Sequence, residues 1–286
     1  MIAEAGLLRL ALALLLAAGT ALVVDRWTAE RGFLPPGFAR AWRRWAALAV
    51  VAGILFLGVF LPVALLGVER APLSLEDLTT LDVFLLQGLL LLAVVLWFLL
   101  GFAGTGAGTE AAAGPGGLAG LFARQLGLRT RAPWADLGIG AAAGAAGWVL
   151  VILLMLAVVA IVWALGGEEL LPTEPPELIP WVVGLPILVR AAIGVTAGVV
   201  EETFFRGFLQ PRAGILLSSA LFVLAHLSYD QPFMLVGIAA LSLLFAWLVR
   251  WRRTILPAIV AHAVFDLIQL LIVVPQILKR LPEVAG

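Results

Sequence analysis

The sequence contains no cysteine, one tyrosine and only two histidines among its 286 residues. The absence of cysteine excludes disulfides, thiolate metal ligands and a cysteine nucleophile. Charge is also scarce, because only 13% of the residues are charged, whereas a soluble domain carries roughly 25%. The 18 basic residues balance the 18 acidic ones, so no bulk electrostatic attraction favours nucleic acid as a partner.

Hydrophobic residues instead make up 63% of the chain and form long runs. A transmembrane helix needs about 20 predominantly apolar residues. The runs therefore predict an all-α, polytopic transmembrane bundle in which the lipid bilayer surrounds about eight spans. The predicted spans are 5–24, 45–67, 81–102, 137–165, 181–209, 213–229, 232–250 and 254–276.

The distribution of arginine predicts the orientation of these spans. Five arginines lie in the loop 25–44 and three in the loop 103–136, whereas the loop 166–180 has four glutamates and no basic residue. Loops rich in arginine and lysine stay on the cytoplasmic side of a membrane. With eight spans, the arginine-rich loops are expected in the cytoplasm and both termini outside.

A glycine- and alanine-rich stretch at 103–120 predicts a flexible linker after the third span. We accordingly predict a three-span region at 1–102, a cytoplasmic linker loop at 103–136 and a five-span core at 137–286. A second run of small residues, at 138–147, is typical of helices that pack closely in membranes.

The densest group of charges inside an apolar run is formed by Glu201, Glu202 and Arg206. Ionisable residues at membrane depth are energetically unfavourable and usually functional. Glu202 and Arg206 are four residues apart, a spacing that places them on one helix face and suits an ion pair. Glu201 points about 100° away from Glu202 and lacks a local partner, so it is the first candidate for a catalytic role.

The two histidines are predicted to lie at the depth of Glu201. Proline and glycine at 211–214 predict a turn at which Arg212 anchors the membrane interface. Glu201 and His226 are equidistant from this turn and should meet in an antiparallel hairpin. His262 lies at a comparable depth in the last span, and Asp266 follows on the same helix face.

These residue types suit the addition of water to a carbonyl group. A buried glutamate can act as a general base, with a histidine beside it to hold the water. A second histidine, oriented by a carboxylate at i+4, can donate a hydrogen bond to a developing oxyanion. The same four residues, Glu201, His226, His262 and Asp266, also suit Zn²⁺ or a similar divalent metal. The spacing alone leaves both a cofactor-free site and a metal site open.

Three motifs carry a family resemblance. Glu201-Glu-Thr-Phe-Phe-Arg206 matches E-E-x-x-x-R, Phe222-Val-Leu-Ala-His226 matches F-x-x-x-H, and His262-Ala-Val-Phe-Asp266 matches H-x-x-x-N/D. In this order they resemble the signatures of the CaaX protease and bacteriocin-processing family (CPBP, also called ABI). That family includes the eukaryotic Ras-converting CaaX endopeptidases. The resemblance covers residues 181–275.

The resemblance implies a glutamic intramembrane endopeptidase that acts on membrane-associated proteins or peptides, here in a bacterial cytoplasmic membrane. It implies further that Glu201 activates water with His226, and that His262 and Asp266 form the oxyanion site. Asp266 stands where many members carry Asn, so it must stay protonated or act by orienting His262. Supporting roles fall to Glu202 and Arg206, which balance the first motif, and to Phe222, which packs behind His226.

Two other functions are compatible with ionisable residues inside a membrane protein. A proton-coupled transporter would use the glutamate and histidines as a proton relay, but the paired halves of many transporters are not visible in the sequence. A non-catalytic membrane scaffold could keep the same fold. An intact set of Glu201, His226 and His262 favours the peptidase over the scaffold.

Overall fold

The computed structural model of the chain describes residues 2–66, 79–105, 117–167, 169, 171, 178–227 and 232–284. These residues form helices, turns and loops, with no β-strand among them. In the described part, seven helices are long and apolar enough to cross a membrane. The predicted all-α, polytopic bundle is confirmed.

The described residues contain helices along the whole length of the chain. Numbered in chain order, they are α1 Ile2–Glu30, α2 Ala41–Ala64, α3 Thr80–Phe102, α4 Gly117–Gln125, α5 Pro133–Ala164, α6 Leu178–Gly184, α7 Ile187–Glu202, α8 Gln210–Ala225, α9 Pro232–Arg252, α10 Leu256–Ile268 and α11 Val274–Val284. Wider π-helical turns occur at Phe56–Phe60 inside α2, at Thr203–Leu209 between α7 and α8, and at Gln269–Val273 between α10 and α11.

The helical stretch Ile187–Ala225 is a hairpin, because Gly214 has the non-helical angles φ 83° and ψ 169°. Its two arms are antiparallel, since the hydroxyl of Ser218 donates to the carbonyl of Phe205 at 2.6 Å. The predicted turn at 211–214 is confirmed. The described second arm, 215–225, covers only about 16 Å at 1.5 Å per residue. Within the described residues, the predicted sixth span 213–229 is therefore a half-length arm, and residues 228 and 229 lie outside them.

The prediction that Arg212 anchors the membrane interface is wrong, because the residue is buried, with 2% of its surface exposed. Its guanidinium lies 4.4 Å from the ring centroid of Trp97 and 4.5 Å from that of Phe208. The side chain of Arg212 donates to the carbonyl of Phe208 at 2.7 Å. The backbone carbonyl of Arg212 in turn accepts from the side chain of Arg31. Arg212 thus joins the N-terminal helices to the hairpin.

A single hydrophobic core runs from the N-terminal helices into the hairpin. It includes Val24, Leu55 and Val94 on one side and Phe204 and Leu221 on the other. The N-terminal spans therefore pack directly against the elements that carry the first two motifs. The domain bounds at 102 and 136 stay a prediction.

The region predicted as a linker is partly helical. Helix α4 begins at Gly117, and the ring of Phe122 packs on that of Phe98 with 4.9 Å between centroids. Residues 106–116 of the predicted linker lie outside the described residues, as do most of the glutamates of the loop 166–180. From 117 onward, the connection is attached to the bundle.

Helix α10 lies in close contact with α5 on one side and α7 on the other. A Cβ added at Gly144 of α5 would lie 2.4 Å from the carbonyl oxygen of Ala261. One added at Gly198 of α7 would lie 2.9 Å from the carbonyl oxygen of Ile259. The close packing predicted for 138–147 is confirmed, and it sets the position of the helix that carries His262.

Candidate active site

The first motif ends helix α7 and enters the π-helical turn Thr203–Leu209. The side chains of Glu202 and Arg206 are both 0% exposed, and Arg206 Nη1 lies 3.2 Å from Glu202 Oε1. The predicted ion pair is confirmed. A buried charge without a partner is strongly destabilising, so loss of either residue is expected to destabilise the fold.

Arg206 has further partners that the sequence did not indicate. Its Nη2 donates to the hydroxyl of Ser242 at 3.0 Å and to the carbonyl of the same residue at 3.2 Å. Its guanidinium also lies 4.2 Å from the ring centroid of Phe222. Ser242 is a buried polar residue in the apolar helix α9, and that position was the only signal in the sequence that could have identified it.

Glu201 and His226 face each other across the hairpin. The distance from Glu201 Oε2 to His226 Nε2 is 3.9 Å, and the side chains are 19% and 17% exposed. His226 Nδ1 lies 2.7 Å from the carbonyl of Phe222 and donates to it, so Nε2 is the nitrogen turned toward the glutamate. The ring of Phe222 packs on His226 with 4.5 Å between centroids, as the resemblance implied.

His262 lies between two carboxylates. Its Nδ1 is 2.9 Å from Glu202 Oε1, whereas its Nε2 is 3.6 Å from Asp266 Oδ2. Only the shorter distance is a hydrogen bond. The carboxylate that is hydrogen-bonded to His262 is therefore Glu202. The spacing of the first motif predicts only the ion pair of Glu202 with Arg206. The same oxygen, Oε1 of Glu202, forms the ion pair with Arg206 and accepts the hydrogen bond from His262.

The predicted residues thus come together as two adjacent groups. Glu201 and His226 form one group, and Glu202, His262 and Asp266 form the other. Phe222 lies between the groups, with its ring centroid 4.5 Å from that of His226 and 6.0 Å from that of His262. Side chains from α7, α10 and the end of the hairpin meet at one level of the bundle.

The choice between a metal site and a cofactor-free site stays a prediction. Among the described residues, no group of three histidine or carboxylate side chains is placed to hold a metal ion. Glu201 is directed at His226, while both nitrogens of His262 are directed at Glu202 and Asp266.

Fold and site together define an integral membrane protein with acid–imidazole pairs buried among its helices. Residues 183–268 match the model of a family described as Rce1-like, type II CAAX prenyl endopeptidase. This range contains all three motifs. The resemblance inferred from the motifs is confirmed by this match. No match was found among curated proteins or among solved structures.

Proposed function

We propose that the protein is an intramembrane endopeptidase that uses Glu201 and His226 to activate water. The observation that carries the proposal is the 3.9 Å approach of Glu201 Oε2 to His226 Nε2. Glu201 Oε2 is buried and has no hydrogen-bond partner among the described residues. A water molecule about 2.8 Å from each of the two atoms would bridge them. Such a water would give the buried oxygen of Glu201 a hydrogen-bond partner.

Hydrolysis then follows in two steps. Glu201 takes a proton from the water while the oxygen of the water adds to the carbonyl carbon of the peptide bond. The carbonyl oxygen becomes an oxyanion. Glu201 returns the proton to the amide nitrogen, the C–N bond breaks, and a carboxylic acid and an amine leave. His226 accepts a hydrogen bond from the water through Nε2, because its Nδ1 proton is donated to Phe222.

His262 is the proposed donor to the oxyanion. Its Nδ1 is held by Glu202, so the ring orientation is fixed, and Nε2 is left facing Asp266 at a distance too long for a hydrogen bond. Because Nδ1–H is donated to Glu202, Nε2 carries a proton in the imidazolium form of His262, and in that form Nε2–H would donate to an oxyanion that forms beside it. Donors that bind an oxyanion more strongly than the neutral carbonyl lower the reaction barrier. The carboxyl group of Asp266 lies 3.6 Å from the same nitrogen.

Glu202 and Arg206 hold His262 in place. Arg206 is fixed by Ser242 and by the ring of Phe222, and it fixes the oxygen of Glu202 to which His262 is bound. This chain of contacts crosses from α9 through the first motif to α10. It accounts for the placement of a fully buried ion pair directly beside the proposed catalytic residues.

The proposed substrate is a peptide segment at the membrane, because the site lies among membrane helices and Glu201, His226 and Asp266 are each partly exposed. The proposed location is a bacterial cytoplasmic membrane. The site would be nearer the cytoplasmic side, toward which the arginine-rich loops are predicted to face. No cofactor is required for these steps.

The test compares cleavage of membrane-embedded peptides by purified wild type, Glu201→Gln and His226→Ala in proteoliposomes. Both variants should insert and fold but lose cleavage. Glu30→Gln is the matched control, since Glu30 is an exposed carboxylate at the end of α1. Cleavage by Glu201→Gln at the wild-type rate would rule out the mechanism. Proton transport without cleavage by the wild type would instead identify a proton-coupled transporter.

A further inference from the structure

Residues 126–136, here called the base loop, connect helix α4 to the first turn of α5. Leu126 is buried, and its carbonyl oxygen lies against Gly207, the residue that follows Arg206. A Cβ added at Gly207 would lie 2.9 Å from that oxygen. The base loop therefore touches the π-helical turn of the first motif at a position where only glycine fits without a shift.

The next residue of the base loop binds the start of α10. The carbonyl of Gly127 accepts from the hydroxyl of Thr254 at 2.9 Å and from the backbone N–H of Ile255 at 2.9 Å. Gly127 has φ +68°, a backbone conformation that favours glycine. Thr254 and Ile255 are both buried. A single carbonyl thus fixes the turn from which α10 begins.

The far end of the base loop is attached as well. Asp136 is buried at the start of α5 and accepts from Arg252 Nε at 2.7 Å and from the hydroxyl of Thr130. Because Arg252 is the last residue of α9, this contact joins the base loop to a third membrane helix. Both ends of the base loop are therefore held by hydrogen bonds from residues 252–255, where α9 ends and α10 begins.

Leu126 contacts the π-helical turn of the first motif, and Gly127 holds the start of α10. These two elements carry the opposite sides of the proposed site. Gly207 belongs to the turn that begins directly after Glu202. Ile255 precedes His262 by about two helical turns, or about 10 Å. The hydrogen bond between Glu202 and His262 measures 2.9 Å. A slide of either element against the other would break it.

We propose that the base loop is a positioning device for the proposed active site, and that Thr254 is its principal positioning residue. The inference rests on the proposed peptidase function. Catalysis is sensitive to such positioning, since a misplacement of about 1 Å that originates far from the chemistry can reduce the rate roughly 100-fold. Because the base loop contacts both the turn Thr203–Leu209 and the start of α10, it sets the distance between Glu202 and His262.

The decisive variant is Thr254→Val, which removes one of the two donors to Gly127 and keeps the size of the side chain. We expect kcat to fall by about 10-fold, short of the roughly 100-fold loss from a full 1 Å displacement, with KM unchanged. Thr254→Ser, which keeps the hydroxyl, should restore kcat. The matched control is Thr28→Val, because Thr28 is also a buried threonine but donates within its own helix, to Val24.

A second readout does not depend on activity. The chain has no native cysteine, so spin labels can be placed on Val199→Cys in α7 and Ile272→Cys after α10, two exposed apolar positions. The distance distribution between the labels should be narrow in the wild type and with Thr254→Ser, and broad or shifted with Thr254→Val.

The two readouts separate the possible failures. An unchanged distance distribution together with an unchanged kcat in Thr254→Val would overturn the positioning role. An equal loss of kcat in Thr28→Val would also overturn it, because the effect would then be one of general stability. If the wild type cleaves no peptide, the proposed function fails, and the label distances alone still decide whether the base loop positions the two helices.

Discussion

The close contact between α5 and α10 provides the sharpest test of the packing around His262. The perturbation is Gly144→Ala, which adds one methyl group facing the carbonyl of Ala261. That methyl would lie 2.4 Å from the carbonyl oxygen, and 2.9 Å from Cβ of Val264. Neither neighbour is the flexible end of a long side chain, so the helices themselves have to move.

The size of the movement follows from the contact distance. A carbon–oxygen contact is comfortable at about 3.3 Å, which is about 0.9 Å longer than the 2.4 Å available. Overpacking of this kind destabilises a protein by roughly 1–3 kcal/mol. His262 directly follows Ala261, so the shift would be transmitted to its hydrogen bond with Glu202. At about 1 Å of displacement, activity should fall by roughly 100-fold.

Stability and cleavage should be measured on the same preparations, by denaturant titration in micelles and by peptide cleavage in proteoliposomes. Gly138→Ala is the matched control, since a Cβ at Gly138 in the same helix meets nothing within 4 Å. We expect this control to match the wild type in both assays. If Gly144→Ala also matched the wild type, α10 would not be held by the contact with α5, and the packing argument would be refuted.

Three further predictions concern buried charges and metal. Arg206→Met should lower the free energy of unfolding by about 3–5 kcal/mol, because it removes the arginine from its buried ion pair with Glu202; the double variant with Glu202→Gln should recover part of the loss in the same denaturant titration. Arg212→Ala should lower it by about 2 kcal/mol or more through the loss of two desolvated cation–π contacts, whereas the exposed Arg26→Ala should have no measurable effect. Incubation with a chelator should leave peptide cleavage unchanged, since the proposed steps use no metal; a loss that Zn²⁺ restores would contradict this.

The part of the site that follows local rules could be predicted from the sequence. The pairing of Glu202 with Arg206 depends only on the spacing of four residues along a helix. The meeting of Glu201 and His226 depends only on their equal distance from a turn that glycine and proline mark. Both features are determined by geometry within one hairpin, and the structure has both.

The features that the sequence did not predict depend on contacts between distant helices. Glu202 and His262 are separated by 60 positions, and no local periodicity indicates which carboxylate a histidine will face. The burial of Arg212 depends on Trp97 from an N-terminal helix, so arginine at the end of an apolar run was interpreted as an interfacial anchor. The base loop was missed because a Gly- and Ala-rich stretch preceding it suggested a free linker.

The wide helical turn at Thr203–Leu209 limits how the chain can vary in length. A π-helical turn contains one residue more than the α-helix would use for the same contacts. Deleting that extra residue would return the turn to α-helical geometry and leave the later positions of the hairpin facing as before. Deleting one residue from the regular part of either arm would instead rotate the positions beyond it by about 100° relative to Glu201, and His226 would point away from the glutamate although each of the three motifs stayed intact. The length of each arm is thus as much a requirement of the site as the identity of its side chains.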